Sequence, residues 1–293
     1  MILKIYMQKT EHILYRIFTI LLLIICSSVS AQNNLDSLYG IWQDKTQADS
    51  TRAKAYKNYI WNGFLYSNPD TAIVLTKALL LYGEKNKYPK AKSMAYNLIG
   101  VYNRNKGDYA KALEFYQLSL KINQEIGDKK GIAPVISNIG SLYYSQGDYP
   151  KSLEYYQRGL KIYEEIGEKK GRAPVISNIG SIYHNQGDYP KALEYYQRSL
   201  KIHEEIGNKK RSAPVISNIG SIYYSQGEHD KALEYYQRGL KIRKEIGDKR
   251  GIAFTMGNIG NVYKTKGNNT KALEYYQRSW KIYQEIGDKK GNA

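Results

Sequence analysis

The unit from Pro134, PVISNIGSLYYSQGDYPKSLEYYQRGLKIYEEIGEKKGRA, returns almost letter for letter from Pro174 and Pro214, and more loosely from Met94 and Phe254. Gly100, Gly140, Gly180, Gly220 and Gly260 mark one place in it at 40-residue spacing. A chain built on such a period does not close around one core. Each copy has too little apolar surface to be stable alone, so neighbouring copies must stack.

Each unit holds two helical patterns. In the first, Val135, Ile136, Ile139, Leu142 and Tyr143 recur at three- and four-residue intervals and form one apolar stripe. Gly147-Asp148 interrupts it, with Asp148 placed as an N-cap and Pro150 tolerated in the first turn of the next helix. That helix lines Leu153, Tyr156, Leu160 and Tyr163 along one face, extended by Ile166, and Gly167 supplies a left-handed stop. Gly140 lies mid-helix, where glycine costs about 1 kcal/mol relative to alanine. Its recurrence predicts a close approach of the paired helix backbones, and the small residues Ser152, Gly159, Ala192 and Ser199 fit the same reading. The 30 tyrosines against four phenylalanines follow from copying of the phrase LEYYQ.

The motif I-G-x-x-Y, then G-D-Y, then A-L-E-Y-Y and a small residue, resembles the tetratricopeptide repeat. The 40-residue form is similar to the repeats of Pins-type adaptors, kinesin light chains and extracytoplasmic bacterial sensor modules of this class. The resemblance implies an all-α, right-handed superhelical solenoid of antiparallel helix hairpins. It departs at Pro134, Pro174 and Pro214, so the first helix of each unit is expected to start late or bend there.

Five units are read over 90–286, at about 90–127, 128–167, 168–207, 208–247 and 248–286. Residues 32–89 read as divergent, capping hairpins, with helices over Thr51–Tyr66 and Asp70–Lys85, Asn68-Pro69-Asp70 between them, and a cap around Trp42 and Trp61. Residues 287–293 copy the opening of a further unit. Residues 1–31 read as an export signal: Lys4, Lys9 and Arg16 precede an apolar run, Ile17–Ile25, and Val29-Ser30-Ala31 suits cleavage. The run is shorter than the roughly 20 residues of a membrane span. Cleavage predicts a periplasmic or extracellular protein with no stable span. It also removes the only cysteine, Cys26, and with it disulfide and thiol chemistry. Ile25 before Cys26 argues against lipidation.

His12, His184, His203 and His229 share no metal spacing, and no hydrolase, Walker or dinucleotide motif occurs. No enzymatic activity and no cofactor are expected. The informative surface is the first helix, whose Ser137, Asn138, Ser141, Tyr144 and Ser145 are uncharged, whereas the second helix carries Lys151, Glu154 and Arg158. Asparagine amides both donate to and accept from an extended peptide backbone. Asn138, Asn178, Asn218 and Asn258 form a ladder, joined in the candidate groove by Ser141, Ser181, Ser221 and Asn97. Among otherwise copied units, one position varies as Arg104, Tyr144, His184, Tyr224 and Lys264. The resemblance implies that the asparagines line the concave face and that the variable position gives side-chain specificity. The alternative is that each asparagine bonds only the neighbouring hairpin and that the variable site drifts. Ser137, Asn138 and Ser141 stand where relatives that clamp a C-terminal carboxylate carry lysine and arginine, which argues against that mode.

The loops between units carry Lys129-Lys130, Lys169-Lys170, Lys209-Lys210-Arg211 and Lys249-Arg250, and stacking aligns them as a basic rim. With a net charge of +17, the rim suits either plain solubility or attraction of anionic lipid or envelope polymer. The aromatics of a nucleic-acid platform are missing from these loops, so no nucleic-acid partner is expected. The preferred reading is a protein- or peptide-binding scaffold or sensor module of the kind that serves signal transduction. The alternatives are an electrostatic binder acting through the rim, and a self-assembling array that associates through an uncapped C-terminal end.

Overall fold

A computed structural model of the chain describes residues 33–288. The export signal read over 1–31 and most of the segment read over 287–293 lie outside the described residues. The described residues contain thirteen helices and no strand. They divide into two compact units, one ending at Ile122 and one beginning at Asn123.

The first unit holds α1 (residues 33–43), α2 (Asp49–Gly63), α3 (Pro69–Lys85), α4 (Pro89–Lys106) and most of α5 (Tyr109–Glu125). The Asn68 side chain accepts from the Thr71 amide at 3.1 Å, so the expected cap opens α3. Helix α1 is additional to the two helices legible before residue 89. It brings Trp42 onto the Tyr56 ring at 4.2 Å and edge-on to Tyr82 at 4.6 Å. The Arg52 guanidinium lies over both Trp42 and Tyr82, at 5.4 and 5.2 Å. Between α4 and α5, Ser93 and Ser119 sit 2.9 Å apart, oxygen to oxygen, both buried.

The second unit is a stack of four near-identical hairpins. They are α6 (Lys129–Ser145) with α7 (Tyr149–Glu165), α8 (Lys169–Asn185) with α9 (Tyr189–Glu205), α10 (Lys209–Ser225) with α11 (His229–Glu245), and α12 (Lys249–Thr265) with α13 (Asn269–Glu285). The second helix of each hairpin packs on the first helix of the next. Asp148 caps α7 by accepting from the Lys151 amide at 3.1 Å, and Gly167 ends the hairpin at φ +67°. The cores repeat with the sequence. Tyr156, Tyr163 and Ala133 close on Val175, Ile179 and Ile182 of the following hairpin.

Two expectations are corrected. The first helices do not start late: α6 begins at Lys129 and runs through Pro134, and α8 and α10 run likewise through Pro174 and Pro214. Each proline stands in the second turn, where it removes one backbone hydrogen bond from a helix already held by its neighbours. The approach at Gly140 is not of backbone to backbone. A Cβ there would meet the ring of Tyr156, at 2.8 Å from Cδ1. Backbone proximity enters beside it, where buried Ser152 donates to the Gly140 carbonyl at 2.8 Å.

Candidate functional site

The asparagine ladder holds its register through the second unit. Asn138, Asn178, Asn218 and Asn258 each precede the pair Ile-Gly in α6, α8, α10 and α12, and each is half-buried. Asn218 also hydrogen-bonds the hydroxyl of Tyr196 from the preceding hairpin. At that rung the amide serves the joint between hairpins. Burial raises the Tyr196 pKa, and the bonds from Ser181 and Asn218 oppose the shift. In the first unit the ladder position is Leu98, 1% exposed, and Asn97 stands one residue earlier, in the register of Ser137.

The serines are engaged within their own hairpins. Tyr156 donates to Ser141 Oγ at 3.0 Å, and Ser181 and Ser221 lie 3.0 and 3.1 Å from the hydroxyls of Tyr196 and Tyr236. Each bond satisfies a tyrosine whose ring fills the core. Ser137 turns toward the second helix, not toward an open groove. A Cβ on Gly159 would stand 2.7 Å from its Oγ, which donates to the Ala133 carbonyl at 2.9 Å.

The variable position forms a row of half-buried rings. Tyr144, His184 and Tyr224 pair with Tyr149, Tyr189 and His229 across the hairpin turn, at centroid distances of 5.8, 5.9 and 5.7 Å. Two of them also reach the next hairpin. Asn185 donates to the Tyr144 hydroxyl at 2.8 Å, and Tyr224 lies 3.0 Å from Thr265 Oγ1. These partners stand 41 residues on, a spacing that becomes a contact only once hairpins stack in register. Burial lowers the His184 pKa, which favours its neutral imidazole, and the row ends in the exposed Lys264. Arg104 is half-buried in the first unit.

The basic rim is partly neutralised. Lys129, Lys169 and Lys209 lie 2.9 Å from Glu165, Glu205 and Glu245 at the far end of their own hairpins, and Arg250 lies 2.9 Å from Asp288. These contacts hold the three glutamates below the usual carboxylate range, through the lysine hydrogen bond first. Lys130, Lys170, Lys210 and Lys249 remain exposed. Above the second helix a cationic sandwich repeats: Lys151 over Tyr143 at 5.2 Å, Tyr143 stacked on Tyr155 at 5.4 Å, and Arg158 over Tyr155 at 5.0 Å. The described residues contain no cluster of three or more His, Cys, Asp or Glu able to hold a metal ion. No described helix is long and apolar enough to cross a membrane.

Stacked antiparallel hairpins of this geometry, each closed by a small residue set against an aromatic ring, define the class of helical-repeat proteins. The tetratricopeptide repeat family model matches residues 91–165, 172–245 and 211–285, and the chain belongs to that family. No curated protein matches its sequence significantly. Among solved structures it is similar to BtubC (BKLC) from P. vanneervenii, with 23% identity and a TM-score of 0.62 over 80% of this chain and 92% of that one. It is also similar to a Rap protein complexed with Competence and Sporulation Factor, with 17% identity and a TM-score of 0.63 over 89% and 78%. A third is the signal transduction ATPase with a tetratricopeptide repeat sensor from Pyrococcus horikoshii, with 14% identity and a TM-score of 0.57 over 89% and 46%. At these identities the likeness is one of fold.

Proposed function

We propose that the protein is an exported, non-enzymatic scaffold or sensor module that holds an extended polypeptide segment along the first-helix face of its stack. The observation that carries this reading is the recurrence, in four successive first helices, of a half-buried asparagine on a face that carries no Lys, Arg, Asp or Glu until Lys264 of the last. Amides at this depth are partly desolvated and can exchange hydrogen bonds with a peptide backbone without reading its sequence. The ring row of Tyr144, His184 and Tyr224 adds side-chain contacts beside the ladder. The bonds from Tyr144 to Asn185 and from Tyr224 to Thr265 fix that row before a partner arrives, which reduces the ordering cost of binding. The Rap protein of similar fold, complexed with Competence and Sporulation Factor, is consistent with a stack of this kind holding a partner.

The rim reading is the weaker one, because four of its nine described cations are already paired. The two readings separate by salt. Binding through the rim weakens steeply as ionic strength rises, whereas binding through the amides does not. The test is capture of a partner from envelope extract, followed by titration of that partner against the protein and its Asn178→Ala/Asn258→Ala variant. These rungs are chosen because Asn218 also supports the fold. A loss of affinity without a change in melting temperature is expected. Unchanged affinity for the double variant rejects the groove.

A further inference from the structure

The asparagine ladder of the second unit has a companion one helical turn away. Pro134, Asn138, Ser141 and Ser145 succeed each other at helical spacing, so they share one side of α6. The same line reads Pro174, Asn178, Ser181 and Asn185 on α8, and Pro214, Asn218, Ser221 and Ser225 on α10. On α12 it reads Phe254, Asn258, Asn261 and Thr265. None of these residues is buried and none is ionisable, in a chain of net charge +17. Across the stack they make two rails, an apolar one of three prolines and a phenylalanine, and an amide one of four asparagines. Each proline removes a hydrogen bond from its helix, and core packing does not account for it, because none of the three is buried.

The interval between rungs selects the conformation of what can lie along the rails. Neighbouring first helices touch. Helix α6 packs on α8, Asn185 donates to the Tyr144 hydroxyl at 2.8 Å, and Tyr224 lies 3.0 Å from Thr265 Oγ1. Packed helices stand about 8–10 Å apart, so the rungs repeat at roughly that distance. A β-strand shows the same face every second residue, after about 6.6 Å or about 13 Å, and misses the interval. A polyproline II helix shows the same face every third residue, after about 9.3 Å, and meets it. Its backbone makes no internal hydrogen bonds, so its carbonyls are open acceptors. An asparagine amide has two N–H donors, so even Asn218, bonded to Tyr196, retains one.

We infer that the groove takes an uncharged, proline-rich segment in the polyproline II conformation, one three-residue turn per hairpin. Its proline rings lie against the apolar rail and its carbonyls accept from the amide rail. A segment of this kind is ordered before it binds, which lowers the cost of capture. The inference rests on the groove reading and adds the class of segment that the groove holds.

The test is fluorescence anisotropy with labelled oligoproline peptides of three, six, nine and twelve residues, and a twelve-residue Gly-Ser peptide as control. The proteins are the wild type, Asn178→Ala/Asn258→Ala and Pro174→Ala/Pro214→Ala. Affinity for the wild type should rise with each added three prolines, and the longest peptide should bind at least about tenfold more tightly than the control. Both double variants should lose most of that preference. The proline variant should also melt at a higher temperature, since each alanine restores a helical hydrogen bond. A merely structural proline would change the melting temperature and leave the affinity alone. Twelve prolines bound no better than the Gly-Ser peptide, or a preference that either double variant leaves intact, overturns the inference. The groove reading falls separately, only if a partner captured from envelope extract binds the asparagine variant as tightly as the wild type.

Discussion

A Cβ placed on Gly140 would stand 2.8 Å from Cδ1 and 2.9 Å from Cε1 of Tyr156, whose ring is buried across the first helix. This contact recurs as Gly180 with Tyr196 and Gly220 with Tyr236, and it lets a large aromatic lie flat inside each hairpin. Alanine at Gly140 gains about 1 kcal/mol of helix propensity, but overpacking costs about 1–3 kcal/mol. Gly140→Ala should therefore destabilise the stack by about 1 kcal/mol in urea unfolding. Combined with Tyr156→Ala, the added cost of the alanine should vanish, and a double-mutant cycle measures this directly.

Lys87 has φ +50° at the end of α3, where the copied units carry Gly127 at φ +66° and Gly167 at φ +67°. A left-handed non-glycine residue costs about 1–2 kcal/mol. Its side chain is exposed, so little packing is lost on removal. Lys87→Gly should stabilise the first unit, with a gain of about 0.5–1 kcal/mol after the added flexibility of the unfolded chain is subtracted. Hydrogen exchange of the α3 and α4 amides reads the change locally.

His203 is 1% exposed, and burial, followed by the charge of Arg211, lowers its pKa. Near neutral pH it is uncharged in both folded and unfolded chains. As pH falls through its ordinary value of 6.5, the unfolded chain takes up a proton that the folded chain refuses, so stability falls with pH. His184, also lowered by burial, acts in the same direction. Replacing both by tyrosine, the residue at Tyr163 and Tyr144, should flatten the loss of stability between about pH 7 and about pH 5.5. Denaturant midpoints across that window decide it.

Arg243 is 5% exposed and donates to the Gly251 carbonyl at 2.7 Å. It stands in the register of Tyr163, which lies against Gly171 in the same way. Burial lowers its pKa, and the neighbouring Asp248 opposes the shift. Arg243→Tyr recreates an arrangement the chain already contains and should stay within about 1 kcal/mol of the wild type. Arg243→Ala leaves a void and should lose about 3 kcal/mol in thermal or urea unfolding.

The hairpins, the Asp148 cap and the Gly167 stop were legible because they depend on neighbours a few residues apart. The Lys129–Glu165 pair, 36 residues apart, and the Tyr144–Asn185 bond, 41 apart, were not, since helical periodicity says nothing about which helix ends meet. Gly140 advertised a close approach, but nothing in the spacing told which residue of the second-helix stripe, Tyr156, fills it. The same limit applied to the groove. Composition marked the first-helix face as uncharged, yet it could not tell that Ser137 turns inward or that Asn218 also bonds Tyr196. Leu98 shows the reverse case: the 40-residue spacing already puts leucine, not Asn97, at the ladder position of the first unit.

The measurement closest to the central claim is the affinity of a partner captured from envelope extract for the wild type and for Asn178→Ala/Asn258→Ala, at low and high salt. The account predicts a loss of at least about tenfold in the double variant, equivalent to about 1.4 kcal/mol, with little change between salt concentrations in the wild type. Equal affinities for the two proteins, or a wild-type affinity that collapses at high salt, would contradict it.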